Sequence, residues 1–458
     1  MPQWIQEFAP ILILLIVIGL TVSRLPRIEV GHTAEFRARR IRNWLPVGML
    51  YAFLYMGRYN LTVAKGAFGD LMTNADFATI FGVGTAVYGA SFVINGPLTD
   101  RIGGKKAVLI GATGSLLANG AMGWVTLKGD TQNLVSTFSV LYGINMYFQS
   151  FGAVSIVKIN APWFHVRERG VFGAIFGILI SLGIYFAFDV GGMIVDAFPL
   201  EWVFFTPAML LAVIGVIVLF AVKNTPGEAG LGDFDTEDAS SGDDGPRLPA
   251  VAVFKMMLTN GVVMTIAAIE FCSGFLRQAI MQWYRAYAKG IGQTDSFVYE
   301  NWGMLLCCAG IIGGVFAGTI SDHIFNSRRG PVAATLYGFM LAGAAVMVFL
   351  VGSPLLPWTI VFMSMCIIGV HGMLSGTASM DFGGRKNVGV AVGIIDGFVY
   401  AGTAVMSFTY GQILPDGEAA GDPENWLAWP IAMVPVALIG LLLARRVWNA
   451  KPKGKAKA

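Results

Sequence analysis

"GPLTDRIGGKK" (residues 96–106) decides the fold, because a degenerate copy, "GTISDHIFNSRRG", returns at residues 318–330. Each copy lies at the end of an apolar segment. It begins with a glycine, continues with small or polar residues and an aspartate, and ends with a basic pair. Asp100 and Asp322 are 222 residues apart. Arg58 and Arg277, which each lie inside an apolar segment, are 219 residues apart. These spacings predict two halves of similar structure that superimpose in sequence almost without gaps.

The composition is that of a membrane protein. The chain has 458 residues, of which 55% are hydrophobic and only 13% are charged. These values exclude an ordinary soluble domain and a disordered chain, and they predict a polytopic membrane protein. The net charge of +3 is too small to indicate nucleic-acid binding. Because no Walker motif and no metal-ligand spacing occur, we expect no enzyme activity, no cofactor, no metal and no nucleic-acid partner.

Apolar stretches of about 20 residues, the length that crosses a bilayer as a helix, fall into two sets of six separated by a Gly-, Asp- and Pro-rich linker. The first set lies near 44–66, 78–98, 106–126, 134–157, 171–193 and 202–222, and the second near 259–283, 301–320, 331–351, 357–379, 388–411 and 426–444. The predicted division is an N-terminal anchor helix with a basic segment (1–42), a six-helix bundle (43–222), a linker (223–257), a second six-helix bundle (258–447) and a basic tail (448–458).

Basic residues fix the expected orientation. Clusters of Lys and Arg occur on alternate loops, at 100–106, 167–170, 327–330, 383–387 and 445–458. Because short basic loops stay in the cytoplasm, we expect a multi-pass protein of the inner (plasma) membrane with a cytoplasmic C-terminus. The apolar stretch at residues 8–22 is short and has no cleavage site, so it predicts either an extra anchor helix or a helix lying in the interface.

The arginine of "YMGRYN" (55–60) lies inside the first span. An arginine at the bilayer centre costs about 2.5–3.5 kcal/mol on insertion scales, so it indicates a functional site between the two halves. On a helix, Tyr51, Tyr55, Arg58 and Lys65 share one face. In the seventh span, Glu270 and Arg277 share another. Two guanidinium forks can bind a phosphate dianion in bidentate fashion and cannot lose their protons.

The first repeat resembles the loop signature of the major facilitator superfamily, G-x-L-x-D-R-x-G-x-K/R-K/R. The resemblance implies an all-α polytopic membrane protein with the major facilitator fold, in which two six-helix bundles are related by pseudo-two-fold symmetry, here with a possible extra N-terminal helix. We expect the loop aspartates to accept hydrogen bonds that latch one side of the protein. The expected gating residues are Gly96, Asp100, Arg101, Gly103, Lys105, Asp322 and Arg328.

Five local features resemble the organophosphate:phosphate antiporter family of glycerol-3-phosphate and hexose-phosphate transporters. These are R-x-N from Arg58, "WFHVRERG" (163–170), "NTPGEAGL" (224–231), R-x5-W-x3-Y from Arg277, and the "SDHIFNSRRG" loop. The resemblance implies that Arg58 and Arg277 clamp the substrate phosphate. Tyr59, Phe92 and Ile180 stand where glycerol-3-phosphate members carry two lysines and a histidine, so glycerol 3-phosphate itself is in doubt. The expected substrate-binding residues are Arg58, Arg277, Tyr51, Tyr55, Lys65, Glu270, Trp283 and His371.

The sequence therefore predicts a secondary transporter that exchanges an organic phosphate for inorganic phosphate by alternating access. The expected partners are a small phosphorylated anion, inorganic phosphate and the lipid bilayer, and we expect a monomer. Two alternatives stay open at this point. One is a proton-coupled organic-anion symporter in which Glu270, Asp396 or His371 carries the proton, and the other is a transporter-like sugar-phosphate sensor.

Overall fold

The computed structural model describes residues 3–24, 30–129, 132–165, 168–236, 249–325 and 329–449. These residues form helices and connecting turns, and no strand occurs among them. The helices are α1 (Gln3–Arg24), α2 (Ala34–Phe68), α3 (Asn74–Ile102), α4 (Gly104–Lys128), α5 (Leu134–Asn160), α6 (Arg169–Tyr185), α7 (Gly191–Ala197), α8 (Trp202–Ala221), α9 (Ala250–Leu258), α10 (Gly261–Gly290), α11 (Phe297–Glu300), α12 (Trp302–His323), α13 (Arg329–Leu350), α14 (Leu356–His371), α15 (Ser379–Ile413) and α16 (Ala428–Arg446). π-Helical turns follow α6 (Phe186–Val190) and α14 (Gly372–Ala378).

Ten helical segments within the described residues are long and apolar enough to cross a membrane. The remaining two spans that the sequence predicts coincide with α2, which carries Arg58, and with α12, whose apolar part Trp302–Ala317 is shorter. The chain is therefore an all-α polytopic membrane protein with the architecture that the sequence predicts. The division into an anchor, two bundles, a linker and a tail stays a prediction at the level of its boundaries.

Local sequence signals explain where helices α2, α3 and α4 begin or end. Thr33 caps α2 by accepting a hydrogen bond from the backbone N–H of Phe36, and Thr73 and Asp76 form a capping box at the start of α3. Gly103, with φ of 88°, is the single residue between α3 and α4. A side chain is disfavoured at that φ, which explains why the loop needs a glycine there.

The two halves meet along two seams, one between α3 and α15 and the other between α6 and α12. Glycines let the backbones of the first seam approach closely. A Cβ atom at Gly96 would lie 2.5 Å from the carbonyl oxygen of Gly389, and one at Gly89 would lie 3.1 Å from that of Gly397. Small residues permit this close contact, which supplies the van der Waals packing that joins helices in a membrane.

The two ends of the helix bundle differ in how the halves are joined. We call the end where α3 meets α4 and where α16 finishes the linker end, and the opposite end the far end. At the far end, polar contacts cross between the halves. The amide of Gln278 donates to the Tyr59 hydroxyl (2.9 Å), Gln282 contacts Thr62, and Lys289 donates to the carbonyl oxygen of Gly66 (2.5 Å).

Further polar contacts join the halves at the same end. The carboxylate of Asp416 accepts the backbone N–H of Asn74 (2.6 Å), and Asp189 accepts those of Gly303 and Met304 (2.6 and 2.7 Å) at the start of α12. The N-terminus of α12 compensates the Asp189 carboxylate, because the first N–H groups of a helix lack partners within the helix.

Helix α1 lies against the second seam. Its Leu14 is buried in an apolar cluster with Met304, Cys307 and Cys308 of α12 and Ile178 of α6. The four cysteines are free and buried, so they act as packing residues. The chain is helical at residues 8–22, where the sequence left an anchor and an interfacial helix open, and whether α1 spans the bilayer stays a prediction.

Candidate functional site

Arg58 lies in the interior, and its side chain is fully buried. Three hydrogen bonds hold the guanidinium: Nε donates to Oε1 of Gln149 (2.9 Å), Nη1 to the hydroxyl of Tyr400 (2.6 Å), and Nη2 to the hydroxyl of Tyr88 (2.8 Å). The guanidinium carbon also lies 4.5 Å from the ring centroids of Tyr55 and Tyr88. All of these partners are uncharged, so cation–π contacts and hydrogen bonds stabilise the cation without neutralising it.

The backbone around Arg58 is fixed by a second layer of polar side chains. The hydroxyl of Tyr142 donates to the carbonyl oxygen of Arg58 (2.9 Å), and Asn145 donates to that of Gly57 (2.9 Å). Asn60 donates to the side chain of Asn119 (2.7 Å) on α4. This connected network of buried amides orients the first-half arginine before any ligand arrives, because satisfied polar networks restrict side-chain conformations.

Arg277 occupies the matching position in the second half and has different surroundings. Its side chain is 6% exposed. Neither Nε nor Nη2 has a hydrogen-bond partner among the described residues. The ionisable groups that interact electrostatically with it include Glu270, His371 and Asp396 as well as the tyrosines Tyr55, Tyr59 and Tyr400. A buried guanidinium with unused donors is costly unless a ligand accepts those hydrogen bonds.

The structure brings the two arginines to one cluster of tyrosines. Tyr55 and Tyr400 interact electrostatically with both guanidinium groups. Arg58 is on α2 of the first half, whereas Arg277 is on α10 of the second, and the hydrogen bond from Arg58 to Tyr400 crosses between the halves. An anion placed here would contact both halves at once, which is the geometry that alternating access requires.

Two carboxylates lie on the second-half side of this cluster. Oε2 of the fully buried Glu270 is 2.7 Å from Nδ1 of His371, the last residue of α14. The hydroxyl of Ser375 donates to Asp396 (2.5 Å) on α15. The sequence predicts substrate contacts for Glu270 and His371, and the structure places them together as an ion pair when the imidazole is protonated.

The other predicted binding residues each contact partners of their own. Tyr51 is buried beside Tyr55, with ring centroids 5.1 Å apart. Lys65 contacts Asn74 near the far end of α2. Trp283 is fully buried, and its indole N–H donates to the sulfur of Met406 (3.3 Å). A direct substrate contact for Lys65 and Trp283 stays a prediction, since both side chains engage other partners.

The first-half loop aspartate forms an ion pair. Oδ1 of Asp100 lies 2.6 Å from Nζ of Lys158 on α5. A lysine near a helix end can reach the membrane surface, but here it forms an ion pair within the protein. Oδ2 of Asp100 would lie 2.6 Å from a Cβ at Gly389, so the carboxylate borders the opposite half. A gating role for the loop stays a prediction.

The remaining predicted gating residues are partly described. Gly96 lies in the α3–α15 seam, Gly103 makes the turn, Arg101 is exposed, and the backbone N–H of Lys105 donates to Oδ1 of Asn224 (2.9 Å). Asp322 lies in the last turn of α12. Arg328 lies outside the described residues.

Sequence reasoning missed the three residues that hydrogen-bond to the Arg58 guanidinium: Tyr88, Gln149 and Tyr400. Tyr88 precedes Gly89 in a span dominated by small residues, and Gln149 and Tyr400 are isolated polar positions in long apolar helices. A polar residue in a span was the available signal, because such residues face the protein interior. Which of them reach Arg58 depended on helix packing.

A helical bundle with two buried arginines between its halves is typical of a membrane transporter. The family described as the Major Facilitator Superfamily matches residues 47–407. The chain belongs to that superfamily.

Curated relatives indicate which kinds of membrane protein within this superfamily the chain resembles. The chain is 24% identical to the glycerol-3-phosphate transporter of Bacillus subtilis, with 91% of this chain and 94% of the relative covered. It is 23% identical to a probable hexose phosphate transport protein of Chlamydia pneumoniae, with coverage of 92% and 93%. It is 22% identical to the membrane sensor protein UhpC of Escherichia coli, with coverage of 92% and 95%. These relatives confirm the resemblance to organophosphate transporters.

Solved structures confirm the fold. A bacterial homologue of the human lysosomal transporter Spinster, in an inward-facing and unoccupied conformation, gives a TM-score of 0.67 at 12% identity over 93% of this chain and 100% of that one. The nucleoside transporter NupG gives 0.62 at 12% identity over 90% of this chain and 100% of that one. The likeness supports the major facilitator architecture and says nothing of substrates.

Proposed function

We propose that this protein exchanges an organic phosphate for inorganic phosphate across the membrane by alternating access. The observation that carries the proposal is the pair of buried arginines in opposite halves, of which Arg277 has two guanidinium nitrogens without a hydrogen-bond partner in the described part of the chain. A phosphate group supplies several acceptor oxygens, and guanidinium binds them in bidentate fashion. Relatives whose names include glycerol-3-phosphate and hexose phosphate support this substrate class.

The arrangement suggests how binding drives reorientation. Arg58 is already joined to the second half through Tyr400. A bound phosphate replaces or extends this contact and gives Arg277 its missing acceptors, so both halves are drawn to one anion. The unused donors of Arg277 disfavour closure around an empty site, since a buried donor left without an acceptor costs about 1–3 kcal/mol and more when it belongs to a charged group. Exchange then follows, because reorientation is fast only with an anion bound.

The polar contacts at the far end define the state described here. Tyr59, Thr62 and Lys289 engage partners across the halves, so this side is closed. Because the basic loops lie at the linker end, we place that end in the cytoplasm and the protein in the inner (plasma) membrane, with the C-terminus inside. We propose that it works as a monomer.

Counterflow tests the proposed function. Proteoliposomes containing the full chain and loaded with unlabelled phosphate are expected to accumulate labelled phosphate, and sugar phosphates and glycerol 3-phosphate are expected to compete. Vesicles loaded with sulfate instead serve as the control for leak. Rapid uptake of phosphate into vesicles that contain no counter-substrate would contradict exchange.

A sensor is the second candidate, because the membrane sensor proteins UhpC of Escherichia coli and Salmonella typhimurium are relatives at 22% identity. The same centre would then bind a sugar phosphate without transporting it rapidly. Binding of a phosphorylated sugar to the purified protein together with absent counterflow would favour the sensor.

A further inference from the structure

A buried carboxylate and an imidazole lie beside the second arginine. Glu270 is seven residues before Arg277 on α10 and so shares its face. Oε2 of Glu270 is 2.7 Å from Nδ1 of His371, whereas Oε1 has no hydrogen-bond partner among the described atoms. The glutamate side chain is fully buried. This pair can hold one proton in two ways, on the imidazole or on the carboxylate.

The groups that face Glu270 come from four helices. Cys272 and Arg277 are on its own helix, Tyr337 is on α13, His371 is on α14, and Asp396 is on α15. Asp396 also interacts electrostatically with both arginines. Among the residues whose side chains the structure describes, this cluster contains two guanidinium groups and two carboxylates.

The charges of these groups decide what happens when phosphate binds. Two guanidinium groups balance two carboxylates as long as the imidazole is uncharged. A phosphate dianion would bring two further negative charges into a region of low dielectric, where uncompensated charge is costly. Uptake of a proton by the carboxylate–imidazole pair removes part of this excess and leaves the phosphate its two arginine contacts.

We propose that Glu270 and His371 form a proton site coupled to the phosphate site, so that the protein carries a proton together with its phosphorylated substrate. The inference rests on the proposed binding of phosphate at Arg277. The proton comes from bulk water as the dianion binds and returns to water after the dianion leaves. Because linkage is reciprocal, phosphate affinity falls as pH rises and protons become scarce, by up to about tenfold per pH unit.

Calorimetry measures directly how many protons the protein takes up for each phosphate that binds. The purified full chain is titrated with inorganic phosphate at pH 8, where phosphate is mainly a dianion, in two buffers that differ in ionisation enthalpy. We expect the wild type to take up about one proton per bound phosphate. Glu270→Gln is expected to take up none. Glu270→Asp keeps a titratable carboxylate and is expected to retain the uptake.

The matched control is Glu300→Gln, which makes the same chemical change at an exposed position and is expected to show wild-type proton uptake. Proton uptake that persists in Glu270→Gln would place the proton on the phosphate, on Asp396 or on His371 without its carboxylate partner, and would overturn the inference of a paired site. Phosphate binding by the wild type without proton uptake would overturn it as well. A wild type that binds neither phosphate nor phosphate esters would instead contradict the proposed function.

A second measurement needs no variant. The affinity of the wild type for inorganic phosphate is measured between pH 6.5 and 8.5. Ionisation of phosphate alone makes affinity for a dianion-binding site rise and then level off over this range, whereas a coupled proton makes it fall at the alkaline end. A plateau at the alkaline end overturns the inference.

Discussion

The two halves of the protein carry an arginine at matching positions but surround it differently. Arg58 makes three hydrogen bonds to neutral partners and two close aromatic contacts. Among the residues that the structure describes, two guanidinium nitrogens of Arg277 have no hydrogen-bond partner, and the carboxylate of Glu270 interacts with this guanidinium electrostatically. The first half therefore offers a rigid, preorganised cation, and the second offers a cation with unused donors beside a carboxylate. The two matching positions carry the same charge in different surroundings.

Replacing each arginine by lysine tests this comparison with the largest expected effect. Arg58→Lys and Arg277→Lys are each expected to lower counterflow at least about a hundredfold, since lysine cannot form the bidentate contact. Only Arg58→Lys is expected to lower the melting temperature clearly, because it alone breaks existing hydrogen bonds. Arg445→Lys, at an exposed position, is the control for both measurements. Equal thermal destabilisation by the two variants would remove the distinction between the halves.

A substitution in the α3–α15 seam is expected to have the next largest effect on exchange. Gly96→Ala places a Cβ atom 2.5 Å from the carbonyl oxygen of Gly389, so the α3–α15 seam must separate at a cost of about 1–3 kcal/mol. We expect a roughly tenfold loss of exchange with substrate binding largely kept. Gly120→Ala, where nothing lies within 4 Å of the added atom, is the matched control. Normal exchange by Gly96→Ala would show that the seam opens freely.

Tyr400→Phe removes one contact that joins Arg58 to the second half. The hydrogen bond to a charged group contributes about 1.5–3 kcal/mol, so we expect about a tenfold change in phosphate affinity in counterflow or binding. Tyr410→Phe is the control, because its hydroxyl donates to the carbonyl oxygen of Trp429 within the second half (2.8 Å). An unchanged affinity would show that Tyr400 does not compete with phosphate for Arg58.

The ion pair between Asp100 and Lys158 gives the smallest expected effect. Asp100→Asn removes the charge from a largely buried pair but keeps an amide oxygen that can accept a hydrogen bond from Lys158, so we expect exchange to slow only several-fold, with about 1 kcal/mol lost. Lys158→Met in the same background is expected to add little if the contact between these two side chains carries the effect. Additive losses in a double-mutant cycle would mean that the two side chains act separately.

Parts of the candidate site were predictable from the sequence. The intramembrane positions of Arg58 and Arg277 follow from their charge inside apolar spans, since a charge in a span must face the interior. Glu270 was identifiable for the same reason. The partner of each group was not, because Tyr88, Gln149 and Tyr400 come from three different helices. The ion pair of Lys158 was not predictable for a related reason: a basic residue at a helix end suits both the membrane surface and an ion pair.

The sequence by itself determined the class of protein. Twelve apolar segments and the repeat around Asp100 predict the fold, because hydropathy and spacing are local properties that survive without coordinates. The tertiary structure decided which charges are satisfied. The Arg58 guanidinium meets tyrosine hydroxyls, whereas two nitrogens of Arg277 meet no partner among the residues that the structure describes. This difference depends on side chains that come from distant parts of the chain. Contacts of this kind are set by helix packing, which no local pattern encodes.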